Sequence, residues 1–171
     1  MQKPLNVKRE GVDTLIVTRD FAAPRVHVWQ AFTDATHLKH WLLGPNGWQM
    51  RHCHVDARRG GSYEWSWRNP ETGDVLGIKG VYQQVKPLRV MVDTQSFHLG
   101  DGGGEMGDQT RNAVKFEDVL DGGTRVTTRI VYPDAATREL VLMQDMPSGM
   151  EASYSRLDQF LAMLRQSTAA E

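Results

Sequence analysis

With Cys53 as its only cysteine, the 171-residue chain builds no intrachain disulfide, no CxxC redox pair and no zinc knuckle. It also lacks an excess of either charge. Twenty Lys and Arg stand against 21 Asp and Glu, a formal net charge of −1, which leaves no cationic footprint for gripping a phosphate backbone. Nucleic acid is therefore excluded as the expected main partner. No apolar run approaches the roughly eighteen residues that span a bilayer, and MQKPLNVKRE at the start is polar, unlike a signal peptide. We expect no membrane insertion and, by default, a cytoplasmic address. Catalytic signatures are absent too. There is no Gly-x-Ser-x-Gly elbow, and Gly102–Gly104 is followed by neither Lys-Ser/Thr nor a helix start, which argues against a phosphate cradle.

What remains is the composition of an ordinary globular domain, 40% hydrophobic and 24% charged, long enough to bury about 70% of its unfolded surface. One domain is expected over residues 1–171, with its core over about 14–165 between polar tails. TLIVTRDF at 14–21 reads as a strand, and Pro24 opens a helix carrying Val28, Ala31 and Phe32. Asp34 caps a second helix with Leu38, Trp41 and Leu42 on its apolar stripe, stopped by Gly44-Pro45-Asn46-Gly47. Strand signals follow at 48–55, 62–67, 75–85 and 88–98, separated by turns at Arg59-Gly60-Gly61, 69–74 and Pro87. A loop from Gly100 to Gly107 holds five glycines and reads as a pocket lid; beyond it, NAVKFEDVL and TRVTTRIVY form a hairpin about Asp121-Gly122-Gly123. After Pro133 come a short helix near 135–145 and a long one, capped by Ser148, whose apolar residues Met150, Tyr154, Leu157, Leu161 and Leu164 form one stripe. A sheet with one apolar face must be covered, and this long helix is the element large enough to do it. A twisted, curling sheet meets a straight helix incompletely, leaving a cavity between them.

Several segments carry a resemblance to a known family: TLIVTRDFAAPRVHVWQAFTDATHLKHWLLGPNGW, VDARRGGSYEWSWRNPETG, GVYQQVKP, VKFEDVLDGGT and GMEASYSRLDQFLAML, in that order from about residue 14 to 165. Together they resemble the bacterial relatives of the heat-shock-protein-ninety ATPase activator. That group belongs to the helix-grip (START-like, SRPBCC) superfamily, shared with steroidogenic-acute-regulatory lipid-transfer domains, polyketide cyclases and the birch pollen allergen. The sequence departs from the family's usual pattern at Trp41-Leu42-Leu43, Gln84 and Pro87-Leu88-Arg89-Val90. The resemblance implies an α+β helix-grip fold: a curved antiparallel sheet wrapped around a long C-terminal helix, with two short helices after the first strand. It also implies an apolar pocket of the kind used for lipids and polyketides; a reaction does not follow from the fold.

In SYEWSW, strict alternation puts Tyr63, Trp65 and Trp67 on one face, expected to point inward with Val114, Phe116, Val126, Thr128 and Ile130. The plainer reading is core filling; the functional one is a ligand wall, since two buried indole N–H groups need partners. Met143, Met146 and Met150 add adaptable thioether surface near the closing helix. Trp41 and Tyr154 complete the expected wall, and His98 is the candidate polar group within it, on a strand whose alternate members are Val92, Thr94 and Ser96, against the plainer reading that it lies in solvent at the sheet edge. Two pairs of the six histidines, His37 with His40 and His52 with His54, have spacings that could share a metal, but no third ligand is fixed, so no metal and no cofactor is expected. Glu64 and Glu117 alternate outward into solvent.

The leading expectation is a binder of a hydrophobic small molecule. The enzymatic alternative, a cyclase- or hydrolase-like activity, has His98, Tyr63 and Tyr154 as its acid–base candidates. Third stands a chaperone-associated module, as the family's eukaryotic namesake implies, weakened by the lack of an additional N-terminal chaperone-binding domain. A homodimer is compatible with each of these.

Overall fold

A computed structural model describes residues 4–101 and 104–169. Eight strands form one antiparallel sheet: β1 (Asn6–Glu10), β2 (Thr14–Phe21), β3 (Gln49–Val55), β4 (Ser62–Arg68), β5 (Val75–Lys86), β6 (Val90–Leu99), β7 (Glu105–Asp118) and β8 (Thr124–Val131). Their spatial order is β1-β2-β8-β7-β6-β5-β4-β3, an open, curved sheet with β1 and β3 at its edges. Between β2 and β3 lie α1 (Arg25–Thr33) and α2 (Ala35–Trp41); α3 (Ala135–Met143) and the 24-residue α4 (Met146–Ala169) close the chain. Among the described residues no helix is long and apolar enough to cross a membrane.

The local signals explain most of these elements. In β2 every second side chain is buried, as a strand with one face on a core requires. The Asp34 carboxylate accepts the Thr36 N–H at 2.8 Å and starts α2, and Asp134 does the same for α3 through the Thr137 N–H at 2.7 Å. Ser148, by contrast, lies within the first turn of α4 rather than at its cap; its hydroxyl donates to Asp145 Oδ1 at 2.8 Å. The expected polar N-terminal tail also needs correction. Asn6–Glu10 pairs with β2 from Asn6↔Thr18 to Glu10↔Thr14. An edge strand with almost no buried side chain shows no alternation, which is why its sequence looks like a tail. β7 begins at Glu105, inside the glycine-rich loop, and a bulge opposite Gln95 and Phe97 absorbs the extra residues. The lid reading of that loop falls partly on Gly102 and Gly103, which lie outside the described residues.

The core lies between the concave face of the sheet and the helices. Phe116 and Val126 meet Val28 and Ala31 of α1, Leu38 and Trp41 of α2, and Tyr154, Leu157 and Leu161 of α4. One ion cluster pins α4 to the sheet. The Arg19 guanidinium, 3% exposed, donates from Nη2 to Asp158 Oδ2 at 2.7 Å and to Glu151 Oε1 at 3.1 Å. Burial opposes ionisation of Glu151, but the hydrogen bonds from Arg19 and the Leu5 N–H outweigh it and hold its carboxyl below the usual range. At Asp158 burial wins over the same guanidinium and the carboxyl is raised.

Candidate functional site

Cross-strand register fixes which side chains share the concave face, since directly paired residues point the same way. One row runs Cys53–Trp65–Ile78–Phe97–Met106 across five strands. A second, towards the sheet end, is Met50–Trp67–Leu76–Leu99. Deeper, Tyr63 pairs with Gly80, Gly80 with Gln95 and Gln95 with Thr110, and the next row holds Tyr82, Asp93, Asn112 and Ile130. Tyr63, Tyr82 and Met91 belong to the closed core, yet Phe97 is 39% and Met106 47% exposed on the same face. The apolar lining therefore runs out from under the helices and ends uncovered.

At the inner end of this lining sits a polar cluster. The Tyr63 hydroxyl donates to Asp93 Oδ1 at 2.7 Å, Asn112 Nδ2 donates to the same oxygen at 3.1 Å, and Gln95 Nε2 donates to the phenol oxygen at 3.0 Å. Burial pushes the Asp93 carboxyl up to about 6, even though both hydrogen bonds favour its charged form. Burial, reinforced by the neighbouring Asp93 charge, raises the Tyr63 and Tyr82 phenols, so both stay protonated at neutral pH, and Tyr63 acts as the donor to Asp93. The Tyr63 ring stacks on Trp65 with centroids 4.5 Å apart, joining the polar cluster to the apolar row. Several buried polar atoms around it have no partner among the described residues: Trp65 Nε1, Thr110 Oγ1 and Asn112 Oδ1, together with Trp67 Nε1. The expectation that two indole N–H groups would need partners thus meets a structure that supplies neither.

Gly80 makes the cluster possible. A Cβ there would stand 2.3 Å from the Tyr63 Cζ and 2.4 Å from the Thr94 carbonyl oxygen, so only glycine lets the phenol lie across β5. Gly80→Ala is expected to displace the Tyr63 ring from Asp93 and to cost about 1–3 kcal/mol in urea unfolding. A change below about 0.5 kcal/mol would show that the close approach is not required.

The remaining sequence candidates separate into three groups. Trp41, Phe116 and Tyr154 are interior: Trp41 Nε1 donates to the Ala31 carbonyl at 2.9 Å, Phe116 meets Trp29 and Phe32 edge-on at 5.1 and 5.3 Å, and Tyr154 meets Phe21 at 5.3 Å. Burial raises the Tyr154 phenol to about 12. Met146 and Met150 are half-buried on α4, and Met150 packs against the core. Met143 does not join them. It is 83% exposed, because α3 docks through Arg138, whose Nη1 donates to the Gly11 and Thr14 carbonyls. Five residues further on, a side chain lies roughly 140° round the helix from that contact.

His98 requires the largest correction. It pairs with Gly77, opposite Ser66, and so lies on the convex face, with its imidazole over the bare Gly77 Cα and Nε2 3.8 Å from Glu64 Oε1. The inward members of β6 are Met91, Asp93, Gln95 and Phe97, not Val92, Thr94, Ser96 and His98. Sequence reading missed Asp93 and Asn112 for the same reason: a carboxylate between apolar residues reads as the solvent side. The available signal was the parity of Met91 and Phe97 about Asp93.

His37 and His40 both pack on Phe160, edge-on at 5.2 Å and stacked at 4.9 Å. No group of three or more His, Cys, Asp or Glu that could hold a metal ion occurs among the described residues. A concavity of about 1330 Å³ lies away from the polar cluster, where the C-terminal end of α4 meets the β7–β8 turn. Phe21, Val119 and Leu120 line it beside charged groups such as Arg125 and Asp20, which meet in a two-fold contact at 2.7 and 2.8 Å, and it opens to solvent.

An antiparallel sheet curled over a long terminal helix, with its lining on the concave side, defines a helix-grip protein of the START-like class. The family described as "Activator of Hsp90 ATPase homolog 1-like protein" matches residues 22–162, and the chain belongs to that family. Among solved structures, a protein from Rhodobacter sphaeroides is 25% identical with a TM-score of 0.85, covering 94% of this chain and 99% of its own. Protein Ms6760 from Mycobacterium smegmatis is 25% identical with a TM-score of 0.80, covering 92% of this chain and 97% of its own. CalU16 from Micromonospora echinospora, at 18% identity and a TM-score of 0.60, shares the fold over 99% of this chain and 91% of its own. No curated protein matches the chain.

Proposed function

We propose that this protein binds a hydrophobic small molecule, of lipid, polyketide or aromatic type, on the concave face between the sheet and α4. The observation that carries the reading is the Cys53–Trp65–Ile78–Phe97–Met106 row, which is continuous with the core but half uncovered at Phe97 and Met106. A domain gains about 25 cal/mol for each Å² of apolar surface removed from water, and an apolar guest lying on Phe97 and Met106 removes it there. Membership of a fold class whose members commonly hold hydrophobic ligands supports the same reading.

The test uses N-phenyl-1-naphthylamine, a neutral apolar fluorophore. The native protein is expected to bind it saturably. Trp65→Ala removes the central wall of the row and should weaken binding about tenfold, since deleting a large apolar contact is worth 1–3 kcal/mol. Val81→Ala, an exposed position on the convex face, serves as control and should leave affinity unchanged. Equal affinity of native protein and Trp65→Ala would overturn the proposal.

A further inference from the structure

Resting on that reading, we infer that the ligand is amphiphilic and carries a hydrogen-bond donor, an alcohol or phenol hydroxyl, that is received by Asp93 and Asn112 at the inner end of the apolar row. A purely hydrocarbon guest would leave the floor of this face unexplained. Asp93 and Asn112 are each more than nine-tenths buried, as is Thr110 in the neighbouring row. Their hydrogen-bond inventory is incomplete in a directional way. Asp93 Oδ1 accepts twice, from Tyr63 and Asn112, while Oδ2 accepts from no described residue. Asn112 spends an amide hydrogen on Asp93, and its Oδ1 has no partner among the described residues. Two acceptor oxygens thus stand side by side on adjacent strands, paired across the sheet at Asp93↔Asn112. Of the donors in the cluster, Tyr63 is directed to Asp93 and Gln95 to Tyr63, while the Thr110 hydroxyl and the Trp65 indole N–H have no partner among the described residues, so a guest hydroxyl that donates to the acceptor pair can also accept. An acceptor-rich floor selects a guest that donates.

Distance and direction along the sheet then describe the ligand. The Tyr63–Trp65 stack joins the polar floor to the apolar row, which runs outward through Ile78 and Phe97. A planar, aromatic or polyketide-like body would lie along the row with its hydroxyl at Asp93. A carboxylate head fits poorly, because it would bring a second negative charge to Asp93 with no cation in the cluster.

The experiment compares 2-naphthol with 2-methylnaphthalene, which replaces the hydroxyl by a methyl group of similar size. Binding is followed by quenching of tryptophan fluorescence or by calorimetry near neutral pH. The native protein is expected to prefer 2-naphthol at least tenfold, and Asp93→Asn should reduce that preference below threefold while leaving 2-methylnaphthalene affinity unchanged. Val81→Ala, an exposed position on the convex face, should keep the tenfold preference. A native preference below threefold, with both compounds bound, overturns the donor site and leaves the hydrophobic site standing. Retention of the tenfold preference in Asp93→Asn overturns the assignment to Asp93. Failure of both compounds to bind overturns the underlying reading as well. Should Asp93→Asn not fold, Asn112→Ser takes its place: it is expected to reduce the preference below threefold, and retention of the tenfold preference overturns the acceptor pair.

Discussion

Replacing Asp93 with Asn is expected to stabilise the protein by roughly 3 kcal/mol at about pH 8, an unusual sign for a change in a buried network. An ordinary aspartate titrates at 3.8, whereas burial raises Asp93 to about 6 despite the hydrogen bonds from Tyr63 and Asn112. The folded protein therefore holds a proton that the unfolded chain has released between those two values. A raised folded value means that stability is fully present below 3.8 and is lost as pH rises through about 6. Two units at about 1.4 kcal/mol each give the magnitude. The titratable groups facing Asp93 are Tyr63 on β4 and Tyr82 on β5, both held protonated across this window. An asparagine can still accept from Tyr63 and Asn112 through Oδ1, while presenting no charge to the interior. The gain should shrink to below about 1 kcal/mol near pH 4, as the native carboxyl takes up its proton. Urea unfolding of both proteins at the two pH values measures the difference directly. Equal gains at both would show that the charge is not the burden.

The opposite sign is expected at a second buried charge, Arg19. Arg19→Ala should destabilise the protein by about 3–5 kcal/mol, the usual consequence of stripping one partner from a buried ion pair. Arg19 holds Asp158 and Glu151 of α4, and its Nη1 also donates to the Asp20 carbonyl at 2.8 Å. Without the guanidinium, Asp158, whose side chain is 11% exposed, is left as an uncompensated carboxylate with Oδ1 already lacking a partner. The double change Arg19→Met with Asp158→Leu removes both charges and should recover most of the loss, since well-packed apolar replacements of buried pairs are often neutral. If Arg19→Ala costs less than about 1 kcal/mol, α4 is held by its apolar stripe alone.

The architecture was largely legible in the sequence, and the floor of the site was not. Strict alternation in β4 fixed the inward direction of Tyr63, Trp65 and Trp67, and the stripe from Met150 to Leu164 announced the helix that covers the sheet. These signals are strong because each repeats over several turns or residues. The face of β6 was harder to read. Its sequence, VMVDTQSFHL, places polar residues on both faces, and choosing the wrong parity exchanges every side chain at once. That single choice put His98 inside and left Asp93 out. β1 was missed because its residues are nearly all exposed, and its identity comes from pairing with β2 rather than from any pattern of its own.

An open sheet leaves two unpaired rims, and here both are guarded. β1 presents Lys8, Arg9 and Glu10, and β3 presents Arg51, His52 and His54 beside an irregular register between Met50 and His52. Charge at both margins, joined by a register irregularity at β3, makes strand-by-strand accretion of further copies unfavourable, protecting against amyloid-like growth a protein whose greasy face stays partly bare.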